Sequence, residues 1–181
     1  MPIITTDILY RGSVLTGAAG NSVAQTTPGG NLGKYVSTTL ITDAVLNNVF
    51  PDVTGDENAA SAVDYQCVFI HNNHATITLQ SPVIWVTAEV IGGATTSIAL
   101  DNIAATAVAS AAVQATQISN KNIAPIGVGG FSTPTTKATG LALGNLPAGF
   151  VRGVWIKRSS ANTAALNSDG LTLRVEGDTS A

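Results

Sequence analysis

Val63-Asp-Tyr-Gln-Cys-Val-Phe-Ile-His-Asn-Asn-His-Ala-Thr-Ile-Thr-Leu79 carries the clearest structural signal in the chain. In an extended backbone, successive side chains point to opposite faces. Over Asp64–His71 that rule puts Tyr65, Cys67 and Phe69 on one face and Val68 and Ile70 on the other. Both faces are apolar, which predicts a central strand buried on two sides. His71-Asn72-Asn73-His74 then reads as a hairpin turn, because asparagine tolerates the left-handed backbone conformation. Thr76–Gln80 alternates cleanly, with Ile77 and Leu79 inward and the polar residues outward.

Downstream the same grammar repeats. Pro82 breaks the chain before a third strand over Val83–Ile91, which contains Trp85. Gly92-Gly93 marks a turn, and Thr95–Leu100 a fourth strand. Residues 101–119 are rich in alanine, which suits a helix, yet they show no strong period and no charge between 102 and 120. A loop followed by a strand at 112–118 is the expectation there. Three further strands follow at Gly140–Leu143, Phe150–Arg158 with Trp155, and Leu171–Glu176. In the last, Leu171, Leu173 and Val175 share one face.

Upstream, the β-branched start of residues 36–49 suits a strand. Its second half reads as one helical turn capped by Thr42 or Asp43. Residues 50–62 are turn-rich and read as a surface loop. Residues 1–35 differ from the rest, with Gly12, Gly17, Gly20, Pro28, Gly29, Gly30 and Gly33 among small polar residues. Such glycine density argues against a long regular element and predicts either an extended, loop-rich N-terminal arm that gains order against a partner or a loop lying on its own domain. The sum is seven to nine short strands. The expected fold is all-β, an antiparallel β-sandwich of jelly-roll or immunoglobulin-like order over residues 36–181, preceded by an arm at 1–35.

Composition narrows the function. Charged residues are 10% of the 181, against about 25% in an average domain. A free monomer usually carries a charged surface, so this chain is expected to place much of its surface against neighbours. The net charge is −3 and the longest basic run is Lys157-Arg158, which argues against binding nucleic acid through its phosphates. The single cysteine, Cys67, excludes an intramolecular disulfide and reads as a small core residue. The start lacks a basic region followed by an apolar run, so no secretory signal is expected. No apolar run approaches the ~18 residues of a membrane span.

Candidate chemistry is sparse. His71 and His74 could face one metal across a turn, but no further ligand sits at a convincing spacing. Asp52, Asp56 and Glu57 share a loop with Gly55, without the ligand spacing of a calcium loop. Asp169, Glu176 and Asp178 invite the same idea with less support. Cys67 and His71 lie on one strand face but ~13 Å apart by strand rise, too far for thiolate activation. Gly127-Val-Gly-Gly130 has no following Lys-Ser/Thr, so a phosphate loop is not expected. No Gly-x-Ser-x-Gly elbow occurs. Trp85 and Trp155 fall in strand patterns and are expected in the core. No catalytic, cofactor-binding or metal-binding residue is assigned, and no enzymatic activity is expected.

Three blocks resemble structural proteins of tailed-bacteriophage virions: Val63–Leu79, Leu146-Pro-Ala-Gly149 leading into Val154-Trp-Ile-Lys-Arg-Ser159, and Asp169-Gly-Leu-Thr-Leu-Arg-Val-Glu-Gly-Asp178. The resemblance covers about 64–90 and 140–178 and implies assembly, with no catalytic residue to carry over. It implies a virion location, with the major capsid protein or other virion proteins as partners. The leading expectation is a capsid decoration or cement protein, homo-oligomeric and preferentially trimeric. Its arm would contact neighbours, so a deletion of residues 1–33 would stay folded and stop binding particles. A tail, baseplate or fibre-associated component is the alternative. A carbohydrate-binding adhesion module using Tyr35, Tyr65 or Trp155 is the third.

Overall fold

The computed structural model describes residues 2–17, 23–91, 93–164, 166 and 168–179. Ten strands dominate it: β1 (Ile8–Val14), β2 (Gly33–Leu40), β3 (Val63–Asn72), β4 (Leu79–Glu89), β5 (Thr95–Leu100), β6 (Thr106–Ala107), β7 (Ala115–Gln117), β8 (Leu141–Ala142), β9 (Phe150–Ser159) and β10 (Leu171–Thr179). One short helix, α1 (Gly55–Ala59), and two 3-10 turns, Thr5–Asp7 and Lys137–Thr139, complete the regular elements among the described residues.

Every strand pairing is antiparallel. The large sheet runs in the order β5-β9-β3-β1-β2-β7, with β6 also on β9, and the small sheet runs β10-β4-β8. The all-β, sandwich-like architecture expected from the alternating segments is present. β3 is a central strand, paired to β9 over nine residues and to β1 over four. It is buried on both faces, as its two apolar sets require. Val68 and Ile70 join one aliphatic core with Ile84, Ile98, Leu146, Val154 and others. Cys67 and Phe69 join a second core on the opposite face, with Trp155, Val36 and Ala115.

The N-terminal segment departs from the expected arm. β1 lies inside the large sheet, between β2 and β3, so the strand pairing does not respect a boundary at residue 35. The physical reason lies in two glycines. A Cβ on Gly12, inside β1, would come within 2.6 Å of Asn31 Oδ1. Gly33 has φ +85, and a Cβ there would meet the Thr116 carbonyl oxygen at 1.9 Å. These glycines permit close packing, where the sequence reading took them for flexibility. A polar network ties the segment down. Ser13 N donates to Asn31 Oδ1 (2.9 Å), Asn31 N to Gln66 Oε1 (2.9 Å), and Gln66 Nε2 to the Gly29 carbonyl (3.1 Å).

Other local expectations also shift. The 71–74 hairpin is instead a corner, because β3 belongs to the large sheet and β4 to the small one. Asn72 holds that corner: its Nδ2 donates to the carbonyls of Ile77 and Leu146, both at 2.8 Å. Pro82 does not begin a new strand, since β4 runs through it from Leu79. Ser81, just before Pro82, takes a left-handed φ of 45 within the strand. The helical turn expected near Thr42 and Asp43 is absent. Ala44 (φ 58) and Asn47 (φ 56) are left-handed there, which no right-handed turn accommodates. The loop 50–62 contains α1, whose Thr54 and Glu57 form a capping box. Gly92 of the expected turn, residues 18–22 of the expected arm and Met1 of the chain start lie outside the described residues.

Candidate functional site

The richest charged cluster is built where β3 and β9 bring Asp64 opposite Arg158. Arg158 Nη2 donates to Asp64 Oδ2 at 2.6 Å, while its Nη1 donates to the Pro51 carbonyl at 2.7 Å. Its guanidinium also stacks over the Phe50 ring, 4.6 Å from the centroid. Lys121 reaches Asp64 Oδ1 at 3.2 Å and Glu57 Oε1 at 2.5 Å. Asn122 Nδ2 donates to Asp64 Oδ1 at 2.8 Å. The hydrogen bond from Lys121, aided by the Thr54 backbone, holds the Glu57 carboxyl down at about 2. Burial lowers the Lys121 pKa, and its bonds to Glu57 and Asp64 outweigh that and leave it raised. Every carboxylate oxygen of Asp64 is thus engaged. The cluster staples the 50–57 loop and the 118–122 loop onto the sheet.

A second buried acid, Asp101, follows β5. Its Oδ2 accepts from Trp155 Nε1 and from Thr116 N, each at 2.8 Å, and its Oδ1 from Ile103 N at 2.9 Å. Three N–H donors satisfy this carboxylate without a cation. Trp155 is fully buried and Trp85 nearly so, as the strand patterns predicted. Trp155 therefore offers no face to a sugar ring. Tyr65 packs edge-on against Phe131, centroids 5.5 Å apart, and Tyr35 lies beneath Lys34 Nζ at 5.3 Å.

The two histidines do different jobs. His71 is buried, with its Nδ1 3.5 Å from Arg11 Nη1. Burial, then the Arg11 charge, hold its imidazole down at about 4. His74 Nδ1 accepts from Thr76 N (3.1 Å) and Ile77 N (3.0 Å), which makes it a turn residue. Cys67 is fully buried, and that burial, with the nearby Asp101 charge, pushes its thiol up. A thiol so placed is a poor nucleophile. Among the described residues, no group of three or more His, Cys, Asp or Glu is placed to hold a metal ion. Of the acids weighed for calcium, Glu57 serves the α1 cap and Lys121. Asp169 Oδ2 accepts from Ala94 N at 2.7 Å, and Glu176 pairs with Lys137 and Arg174. The Gly127–Gly130 loop borders β5, where Gly129 N donates to the Leu100 carbonyl at 3.0 Å.

Two features escaped the sequence reading. Lys121 ends a run of nineteen uncharged residues, and that isolation was the available signal for a charge with a fixed partner. Arg152 occupies the same face of β9 as Val154 and Ile156, both core residues. An arginine at an inward position of an alternating strand was likewise legible and was passed over.

Outside these clusters the surface carries large aliphatic side chains. Leu40, Val45 and Leu46 are 52%, 53% and 68% exposed within one short segment, while Ile91 and Ile126 are 95% and 88% exposed. Ile41, Val45 and Leu46 border a small cavity of about 160 Å³ together with Thr27, Pro28 and Asn48. Among the described residues, no helix is long and apolar enough to cross a membrane. No protein-family model matches the chain, and no curated protein or solved structure is significantly similar to it.

Proposed function

We propose that this chain is a non-enzymatic structural protein of a tailed-phage virion, acting as a capsid decoration or cement protein that binds and stabilises the shell. The observation that carries the assembly part is the surface. The neighbours Val45 and Leu46, and Leu40 five residues before them, are each more than half exposed, on a protein with only 10% charged residues. Clustered exposed apolar groups mark surfaces that bury against a partner. The phage setting and the capsid address rest on the resemblance of the three sequence blocks. Binding of this kind stabilises a shell by mass action, because it favours the assembled state. Many weak copies gain effective concentration from a repeating lattice.

The test is the copy number of the chain in purified particles, by quantitative mass spectrometry against the major capsid protein. A ratio near one per capsid subunit, or one per symmetric site, supports decoration. A handful of copies moves the protein to the tail or baseplate. Absence from particles overturns the virion reading.

A further inference from the structure

Both sheets end in edge strands, and all but one of these edges are short or covered. β7 and β8 are three and two residues long. β5 is backed by the 129–133 stretch. Ile98 N donates to the Ser132 carbonyl at 2.8 Å, Ser132 N returns the bond at 3.0 Å, and Gly129 N donates to the Leu100 carbonyl at 3.0 Å. β2, where it runs past β7, is met by Val23 and Gln114: Thr38 N donates to the Val23 carbonyl and Val36 N to Gln114 Oε1, both at 2.9 Å. β10 is the exception. It is nine residues long and pairs with β4 alone. Its register shifts fall on β4, which takes two steps from Ala88 to Val86 against one on β10, and three from Val83 to Gln80 against two. β10 itself therefore has neither bulge nor proline, the usual means of blunting an edge. Among the described residues, the hydrogen bond that reaches its outer edge comes from the Tyr10 hydroxyl to the Leu173 carbonyl. At 3.4 Å that contact is too long to hold the edge closed.

Backbone groups alternate sides along a strand. Tyr10 stands on the other sheet, so Leu173, and with it Leu171, Val175 and Gly177, turns its N–H and C=O away from β4. A long open edge of this kind is a template for another strand. The sequence of β10 is complementary to its own inverted copy. With Val175 opposite Val175 across a two-fold axis, Arg174 faces Glu176 twice, Thr172 faces Asp178 twice, and all nine residues find a partner. Arg174 and Glu176 already form an ion pair along the strand, so the four side chains alternate in sign around the axis. Centring the pair on residue 174 instead sets Arg174 against Arg174, and centring it on 176 sets Glu176 against Glu176. Like charges directly opposite are destabilising. Leu171, Leu173 and Val175 pack on the aliphatic core but are only half-buried in the single chain, and a neighbouring strand extends their cover. We propose that the chain pairs with a second copy of itself through β10, antiparallel about Val175, joining two three-stranded sheets into one of six strands. This pairing rests on β10 alone and not on the virion reading. One strand pair buries less than the ~1,200 Å² of a standard interface, so the dimer is weak, with a dissociation constant of about 10–100 μM.

The experiment is analytical ultracentrifugation of the intact chain from about 1 μM to about 1 mM, which brackets that constant. A reversible monomer–dimer equilibrium is expected. Hydrogen exchange on the same chain should show the Leu173, Val175 and Gly177 amides exchanging more slowly at high concentration than at low. Arg174→Glu sets acid against acid across the axis and Glu176→Arg sets base against base. Each should weaken dimerisation about tenfold or more. Mixed together, the two variants regain both opposite-charge pairs across the axis and should form a heterodimer close to wild-type strength, although each still lacks its pair along the strand. That rescue separates pairing through β10 from damage to the fold. A chain that stays monomeric throughout the range, an oligomer whose β10 amides exchange as fast as the monomer's, a dimer that both variants keep, or a mixture no tighter than either variant alone overturns the proposal.

Discussion

One face of the large sheet is covered by a second sheet and the other by loops, and the two covers need different chemistry. Under β4, β8 and β10 the core is aliphatic, built from Val68, Ile70, Ile84, Ile98, Leu146 and Val154. A strand cover satisfies most of its backbone through its own ladder, as β4 does against β10 and β8, so side chains are free to be purely apolar. On the other face the cover is largely irregular chain between residues 101 and 133, and its core mixes Phe69, Trp155 and Cys67 with buried polar groups. Irregular backbone leaves N–H and C=O groups without ladder partners. Asp101 and Gln114 supply them: Asp101 accepts from Ile103 N and Thr116 N, and Gln114 joins Val36 N to the Ala107 carbonyl. A loop-covered sheet face therefore carries buried polar side chains because the loop requires them.

The harshest way to break this comparison is to remove part of the sheet that both faces share. Deleting residues 1–33 takes out β1 and separates β2 from β3. The truncated chain should show no cooperative urea transition by circular dichroism. A folded truncation that merely loses partner binding would restore the reading of an N-terminal arm.

Point changes sharpen the contrast. On the sheet-covered face, Leu146→Ala should cost about 2–5 kcal/mol, since it leaves a cavity in a fully buried aliphatic site. On the loop-covered face, Trp155→Phe also leaves a cavity in a fully buried site and in addition takes the Nε1 donor from Asp101. The underserved carboxylate should add about 1–3 kcal/mol to the cost of that cavity. Urea denaturation compares the two, and a near-zero cost for Trp155→Phe would mean that the polar bonds on that face are dispensable.

A further effect is in pH. His71 lies on the same strand face as Cys67 and Phe69, and its folded-state pKa of about 4 is below the ordinary 6.5. Between those values the unfolded chain binds a proton that the folded chain refuses, so stability falls as pH drops from about 6.5 to 4. Allowing for the solvent the imidazole retains, the loss should be about 2 kcal/mol. Glu57 acts in a lower window. Its folded pKa of about 2 lies below the ordinary 4.5, so its contribution is present above 4.5 and fades towards 2. In stability measured against pH, a His71→Gln variant should lose the upper slope and keep the lower one. Persistence of the upper slope would assign it to another group.

How far the molecule was legible follows from particular residues. Asp64–His71 announced its two buried faces because strand alternation is local geometry, and Tyr65, Cys67 and Phe69 do oppose Val68 and Ile70. β5, β9 and β10 were legible for the same reason. β1 was missed because Gly12 looks identical in sequence whether it frees the chain or admits the Asn31 side chain. The 71–74 corner passed for a hairpin because its polar residues suit either, and only the partners of Asn72 distinguish them. Asp101 looked like any acid in a loop until Trp155, Thr116 and Ile103 converged on it.

By itself, then, the sequence determined an all-β chain with strands at known places and with Trp85 and Trp155 inside. Those properties follow from the period of side chains along an extended backbone and from the cost of leaving large apolar groups in water. Tertiary structure alone decided the strand order, the place of β1 within the large sheet, the unequal covers of its two faces and the unpaired Nε of Arg152. Each of these depends on which distant groups meet, and residues separated by a hundred positions carry no local mark of their meeting.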